Sequence, residues 1–512
     1  MPPADTNAAA FALDPHNRLL LDRVRPGDWV NPEPKDHYHL VVIGAGAAGL
    51  ISAIVAASLG AKVAIVEQHL MGGDCLNVGC VPSKSVIASS RAAAAMRDAR
   101  RFGVRPGEGG ADFAEVMARM RRLRAHIGEA DSAQRYKDHG VDVFFGRGTF
   151  AGRNTVEVGG KTLRFARAVI ATGARAAIPP IDGLAEAGCL TNESVFDLAE
   201  LPARLAVIGA GPIGCELAQA FQRLGSAVTV IEMTPGILGK EEPDAAALVR
   251  KSMERDGVEF LLHTAIRRVR REEGARRIEA VTGIHEQTVE VDAILVGAGR
   301  MPNVEGLGLE AAGVEYDRVS GVTVDDHLRT SNHSVYAAGD ICMAWKFTHA
   351  ADVAAQIVVQ NALFSLGPIG RRKLSSVVLP WTTYTDPEVA HVGLYEHEAS
   401  LRKIEVDVYT QPMSQVDRAI LDGDEEGYVR VLAARGTDRI LGATIVARHA
   451  GDMMGEIVLA MTNGLGLGAL ATVVHPYPTQ SEAIKKAAGQ YRKTKLTPSA
   501  RWVLARLLAL RA

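Results

Sequence analysis

The chain is predicted to be α/β, built on two Rossmann-like dinucleotide-binding domains, and three observations carry that reading. A strand, glycine loop, helix, strand and acid recur twice in the same order; 512 residues are too many for one core; and an apolar fraction of 47% suffices to bury two or three. The first copy runs Val41-Val42-Ile43-Gly44-Ala45-Gly46-Ala47-Ala48-Gly49 and ends at Glu67. The second runs Ala206-Val207-Ile208-Gly209-Ala210-Gly211-Pro212-Ile213-Gly214 and ends at Glu232. In both, the acid follows the first glycine by 23 residues. A single GxGxxG is weak evidence, whereas two in this setting are strong. The glycines let backbone approach a pyrophosphate, the helix N-terminus stabilises its charge, and the acid accepts hydrogen bonds from a ribose.

Taken in order, the first 37 residues are polar and proline-containing and read as an extension. Leu40 to Ala61 is 22 residues without a charge, long enough to cross a bilayer. Its glycines argue otherwise: Leu40-Val41-Val42-Ile43 is a strand buried on both faces, broken at phosphate-loop positions, and Val63 to Glu67 closes the unit. Gly72-Gly73-Asp74-Cys75-Leu76-Asn77-Val78-Gly79-Cys80-Val81-Pro82-Ser83-Lys84 follows, two cysteines with four residues between them. Gly79 permits a tight turn and Pro82 marks a first helical turn, so Cys80 is expected at a helix N-terminus, where the dipole favours a thiolate. Half of a structural zinc site is the bland alternative. Zinc needs four ligands at short spacing, and Cys189, Cys215 and Cys342 stand alone, as small buried hydrophobes do.

A net charge of -2 gives no electrostatic case for nucleic acid. The runs Arg121-Arg122-Leu123-Arg124 and Arg267 to Arg271 have acids nearby and read as solvated faces. Few cysteines and no recognisable secretory signal point to a reducing cytoplasm.

The cysteine element and the two loops together resemble the flavin-dependent pyridine nucleotide-disulfide oxidoreductases, a family that includes dihydrolipoamide dehydrogenase, glutathione reductase and mercuric reductase, over roughly residues 38 to 490. The resemblance implies a redox-active Cys75–Cys80 disulfide beside FAD, with Cys80 held against the flavin and Cys75 meeting the substrate. Gly44, Gly46, Gly49 and Glu67, with Gly73, Thr172, Gly173 and Asp340, are implied to hold FAD. Gly209, Gly211, Gly214, Glu232 and Gly299 are implied to hold the nicotinamide donor. Lys84 would lie near the flavin, ion-paired with Glu216. The segment Thr348-His349-Ala350 would start a helix whose amides stabilise the reduced flavin, with His349 capping or packing. The implied domains are a discontinuous FAD-binding domain (38–195 and 325–376), an NAD(P)-binding domain (196–324) and a C-terminal α+β dimerisation domain (377–490) opening near Pro380-Trp381. The protein is expected to be a homodimer, with a basic amphipathic tail at 491–512.

NADH is expected over NADPH, because Glu232 repels a 2'-phosphate and no arginine follows it through Gly236; Lys240 nearby softens the preference. The acceptor is decided near Val474 to Glu482. The lipoamide and glutathione enzymes carry a proton-shuttling histidine three residues before the Gln480 position, held by the acid at Glu482. Here that place is Tyr477, as in mercuric reductases, and a phenol of pKa about 10 does poorly as a neutral-pH base. Soft thiolates suit a soft metal ion such as Hg(II). Neither the first 37 residues nor Trp502 to Ala512 hold a cysteine, so ions would reach Cys75 as small thiol complexes. Two alternatives stay open. One is a dihydrolipoamide-dehydrogenase-like reductase using His475 from a shifted register. The other is a flavin redox sensor or membrane-docked electron donor acting through a protein partner. Arg501, Arg506 and Arg511 recur at five-residue steps in a leucine-rich tail that packs on the dimer or makes weak peripheral contact with a membrane.

Overall fold

The uncharged stretch after Leu40 divides as its glycines dictate, into the strand Tyr38–Ile43 and the helix Ala47–Ser58. The structure is a computed structural model and describes residues 14–105, 107, 109–272 and 274–511. The strand Tyr38–Ile43 pairs in parallel with Val63–Glu67 and Lys161–Ile170. Val141–Phe145 and Val335–Ala337 extend the parallel ladder at its two sides. Strands covered on both faces are continuous apolar runs, which explains their membrane-like hydropathy. Among the described residues no helix is long and apolar enough to cross a membrane.

The same syntax recurs with Arg204–Ile208, which pairs in parallel with Ala227–Ile231 and Ala293–Val296 and precedes the helix Pro212–Leu224. The C-terminal sheet is antiparallel, in the order Pro380–Thr383, Glu388–Gly393, Ile440–Ala447, Tyr428–Ala434, Val406–Pro412. Its core packs Val431 and Ile445 with Met453 and Ile457 of the helix Ala450–Thr462 and Ile484 of the helix Glu482–Thr494. Two compact units result. One lies within Met1–Gly209, Ala220–Ile231 and Ala265–Ser376, the other within Ala210–Gln219, Glu232–Thr264 and Val377–Ala512.

The extension is an integral part of the first unit from residue 14 onward; residues 1–13 lie outside the described residues. Asp14 caps the helix Pro15–Val24, accepting from the His16 and Asn17 amides, and Leu20 and Val24 are buried. Downstream, the Asn31 side chain exchanges two hydrogen bonds with the Phe145 backbone, at 2.8 and 2.7 Å, and Trp29 Nε1 donates to Val143 O. The segment thereby satisfies backbone groups of a sheet edge.

The first arginine run is corrected. Arg124 is 2% exposed, not solvated: its guanidinium donates to Asn77 O at 2.7 Å and Asn17 Oδ1 at 2.8 Å. Phe113, Met117, Met120 and Arg124 share the buried face of the helix Phe113–Ile127, so burial follows the helical period rather than the charge. Arg121 pairs with Asp14 at 2.9 Å. The run from Arg267 is exposed and paired as expected, with Glu286, Asp182 and Glu279.

Candidate active site

Close backbone packing fixes the cysteine loop. Gly73 has φ +56°, and a Cβ there would stand 2.6 Å from Gly46 Cα, so the loop lies directly on the first glycine turn. Gly79 is required by proximity rather than by a left-handed φ, since its Cβ would lie 2.7 Å from Asp74 O. The helix Cys80–Arg97 starts at the cysteine itself, two residues before Pro82. Cys80 is exposed and Cys75 half-buried. A hydrogen bond to Cys80 and burial both push the Cys75 thiol up.

Thr348 opens the helix Thr348–Val359, and its Oγ1 lies 3.4 Å from Cys80 Sγ. Cys80 therefore sits at its own helix N-terminus and beside the first hydroxyl of a second helix. His349 stacks its ring on Phe347 at 5.5 Å between centroids. The residue of this segment that reaches the sulfur is thus Thr348, which sequence reasoning passed over in favour of its neighbour. Lys84 is half-buried in the second turn of the Cys80–Arg97 helix. In the other unit Glu216 is buried and its Oε1 accepts from the Tyr384 amide at 2.8 Å.

The two glycine loops repeat one hydrogen-bond pattern. Glu67 accepts from the Ala45 amide at 2.6 Å and the His69 amide at 2.7 Å; Glu232 accepts from Ala210 at 2.8 Å and Thr234 at 2.9 Å. Each acid is thus tied to the residue after the first glycine and to the residue two beyond itself. Burial pushes the Glu67 carboxyl up. Gly44 (φ +101°) and Gly49 admit no side chain, with Cβ positions 2.4 Å from Ala171 O and 1.8 Å from Gly44 O. Gly211 faces open space. Such bare backbone beside a helix N-terminus fits a dinucleotide's pyrophosphate. Thr172 and Gly173 are held by Asn303, whose Nδ2 donates to Thr172 O at 2.9 Å and whose amide donates to Gly173 O at 3.0 Å. Gly299 O accepts from the Ala177 amide at 3.0 Å. Gly214 is buried in the helix Pro212–Leu224.

Arg300 was not singled out in the sequence. It pairs with Asp74, adjoining Cys75, donates to Ala174 O at 2.7 Å, and lies 3.3 Å from Asp340 through Nε. One cation thus spans the cysteine loop and Asp340, whose carboxyl burial pushes up.

In the segment from Val474 to Glu482, His475 Nε2 lies 2.9 Å from Glu456 Oε2. Tyr477 is 73% exposed and donates to Asp417 Oδ2 at 2.8 Å, a bond that pushes its pKa up. Glu482 meets Lys486 at 3.5 Å. Among the described residues His475 Nδ1, Thr479 Oγ1 and Gln480 Oε1 are buried without a hydrogen-bond partner. Cys215 is buried and donates to Ala210 O, in keeping with a packing role.

The family model for pyridine nucleotide-disulphide oxidoreductases matches residues 38–355, and the model for that family's dimerisation domain matches 379–488. The chain belongs to the pyridine nucleotide-disulphide oxidoreductases: it is a flavin-dependent enzyme, and its dimerisation domain makes it a homodimer. It is 33% identical to a mercuric reductase of Lysinibacillus sphaericus over 459 residues, 90% of this chain and 83% of that one. It is 34% identical to a mitochondrial dihydrolipoyl dehydrogenase of Dictyostelium discoideum over 460 residues, 88% and 93%. Its structure matches the Cu(II) complex of the HOCl-induced flavoprotein disulfide reductase RclA from Escherichia coli with TM-score 0.78 and 25% identity, covering 89% of this chain and 100% of that one. The family uses FAD and a pyridine nucleotide, and the two glycine cradles fit them.

Proposed function

We propose that the protein passes electrons from NADH through the Cys75–Cys80 pair to a soft metal ion such as Hg(II), or to a small disulfide. The observation that carries this reading is Tyr477 at the place of a proton-shuttling imidazole, its phenol tied to Asp417. Cleaving a disulfide needs a proton for the leaving sulfur, whereas reducing a soft metal ion needs none. When bound, FAD supplies the two-electron relay between the nicotinamide and the sulfurs. Two electrons and one proton open the Cys75–Cys80 bond to a Cys80 thiolate and a Cys75 thiol. Hg(II) displaces the Cys75 proton on binding; two thiolates and Hg(II) then become one disulfide and neutral mercury, and the charges balance. Lys84 would steady negative charge on the flavin side. Glu232 disfavours the 2'-phosphate of NADPH. Thiols that must stay reduced suit a cytoplasmic enzyme.

The experiment is NADH-dependent loss of Hg(II) as volatile mercury in excess small thiol, with Cys75→Ala as control. Thiol-dependent turnover that the variant lacks supports the proposal; none, in an enzyme whose cysteines still take electrons from NADH, overturns it for metal ions. The His475–Glu456 contact favours a second reading, a lipoamide-type disulfide reductase with a histidine–carboxylate pair. Lipoamide turnover that collapses in His475→Ala would select it.

A further inference from the structure

The helix Pro498–Ala509 is well formed, yet among the described residues nothing buries it. Thr497 caps it, accepting from the Ala500 amide at 3.2 Å, and Pro498 takes the first turn. Trp502, Val503, Leu504, Leu507 and Leu508 are all exposed, Leu508 at 68%. At about 100° per residue, Val503, Leu504, Leu507 and Leu508 occupy one apolar arc of about 140°. Arg506 flanks one edge of that arc and Arg501 the other. The Arg506 guanidinium lies 4.5 Å from the Trp502 ring centroid, which puts an aromatic amphiphile beside the cation. Between Glu482 and Ala512 there is no acid, against eight lysines and arginines.

We propose that this helix lies in the headgroup region of an anionic lipid bilayer. An apolar face rimmed by arginines, with a tryptophan next to one of them, suits a boundary where the stripe enters the acyl region and the guanidinium groups stay among phosphates. The uninterrupted positive charge favours an anionic leaflet, because each Lys or Arg near such a surface adds to the attraction. A two-fold contact of the helix with its copy is disfavoured by the same charge, since a self-complementary patch meets its own arginines. The geometry makes no demand on the electron acceptor, so the proposal stands or falls apart from the function above.

The test is flotation of the FAD-loaded, full-length protein with vesicles of phosphatidylcholine alone or mixed with phosphatidylglycerol. Recovery with the mixed vesicles is expected to exceed recovery with phosphatidylcholine by at least about tenfold and to fall as salt rises. Leu504→Glu/Leu508→Glu should abolish it while the dimer and NADH oxidation are retained. Equal recovery on both vesicles overturns the proposal, as does binding undiminished in the double variant. A dimer that falls to monomer when residues after Thr497 are removed would also overturn it and make the helix part of the subunit seam.

Discussion

His475 is partnered by Glu456, with Nε2 and Oε2 2.9 Å apart, and the histidine side chain is only 9% exposed. The pair lies on the helix Ala450–Thr462 and the loop before Gln480, and Glu482 is engaged by Lys486 instead. If the proposed function holds, His475→Ala leaves Hg(II) turnover within about twofold, yet costs about 1–3 kcal/mol because Glu456 loses its partner in a mostly buried place. Denaturant midpoints and kcat/KM measured together decide it. A tenfold or greater loss of turnover at unchanged stability would place His475 in the chemistry.

The nucleotide loops and the cysteine loop were legible because each is local: glycine spacing, a following helix and an acid at fixed distance are all within one stretch of chain. Glu67 and Glu232 hold equivalent amides, a contact the spacing alone did not indicate. What was not legible depends on distant packing. Arg124 looked solvated among its arginine neighbours, although its register with Met117 and Met120 was the available signal; what made burial tolerable, Asn17 Oδ1 and Asn77 O, lies far away in sequence. Arg300 likewise gains meaning only when Asp74 and Asp340 are brought to it. Thr348 was in view, and the choice between it and His349 required knowing which one faces Cys80.

On the proposed mechanism, Thr348→Val should raise the pH at which the two-electron-reduced enzyme forms its Cys80 thiolate. Thr348 Oγ1 stands 3.4 Å from Cys80 Sγ, and a hydroxyl donating there favours the charged sulfur. Removing the donor is expected to shift the transition upward by up to about one pH unit, the equivalent of one ordinary hydrogen bond. A titration of thiolate absorbance in the reduced protein reads it, and Thr348→Ser should restore the original midpoint. A midpoint unmoved in the valine variant would show that Thr348 does not hold the thiolate.

Asp131 should make the fold less stable as pH rises through the weakly acidic range. Its Oδ2 lies 3.0 Å from where a Cβ on Gly72 would stand, and burial pushes its carboxyl up to about 6, against a small opposing pull from Arg135. A carboxyl whose folded pKa exceeds its unfolded value of about 3.9 contributes stability that is complete below that value and lost as pH passes the folded pKa. Asp131→Asn should therefore be more stable than the parent at pH 7, by up to about 3 kcal/mol, with the advantage shrinking to nothing near pH 4. Unfolding midpoints of both proteins at the two pH values test this; a difference independent of pH would mean the carboxyl is ionised in the folded state throughout.

Donor choice should turn on Glu232 and the residue after it. Both carboxylate oxygens are fixed by the Ala210 and Thr234 amides, so the negative charge cannot swing aside to admit a 2'-phosphate. Met233 is 73% exposed, and a guanidinium placed there would meet solvent and ligand rather than the core. Glu232→Ala alone removes repulsion but supplies no attraction, and it frees two amides that the carboxylate had satisfied; its main effect should be a weaker NADH KM. Glu232→Ala/Met233→Arg adds a planar donor for the phosphate and should shift the ratio of kcat/KM for NADPH over NADH by at least about tenfold. Steady-state kinetics with both donors against one acceptor measures the ratio directly. If the double variant keeps the parent's preference, the discrimination lies elsewhere in the nucleotide site, with Lys240 the next residue to change.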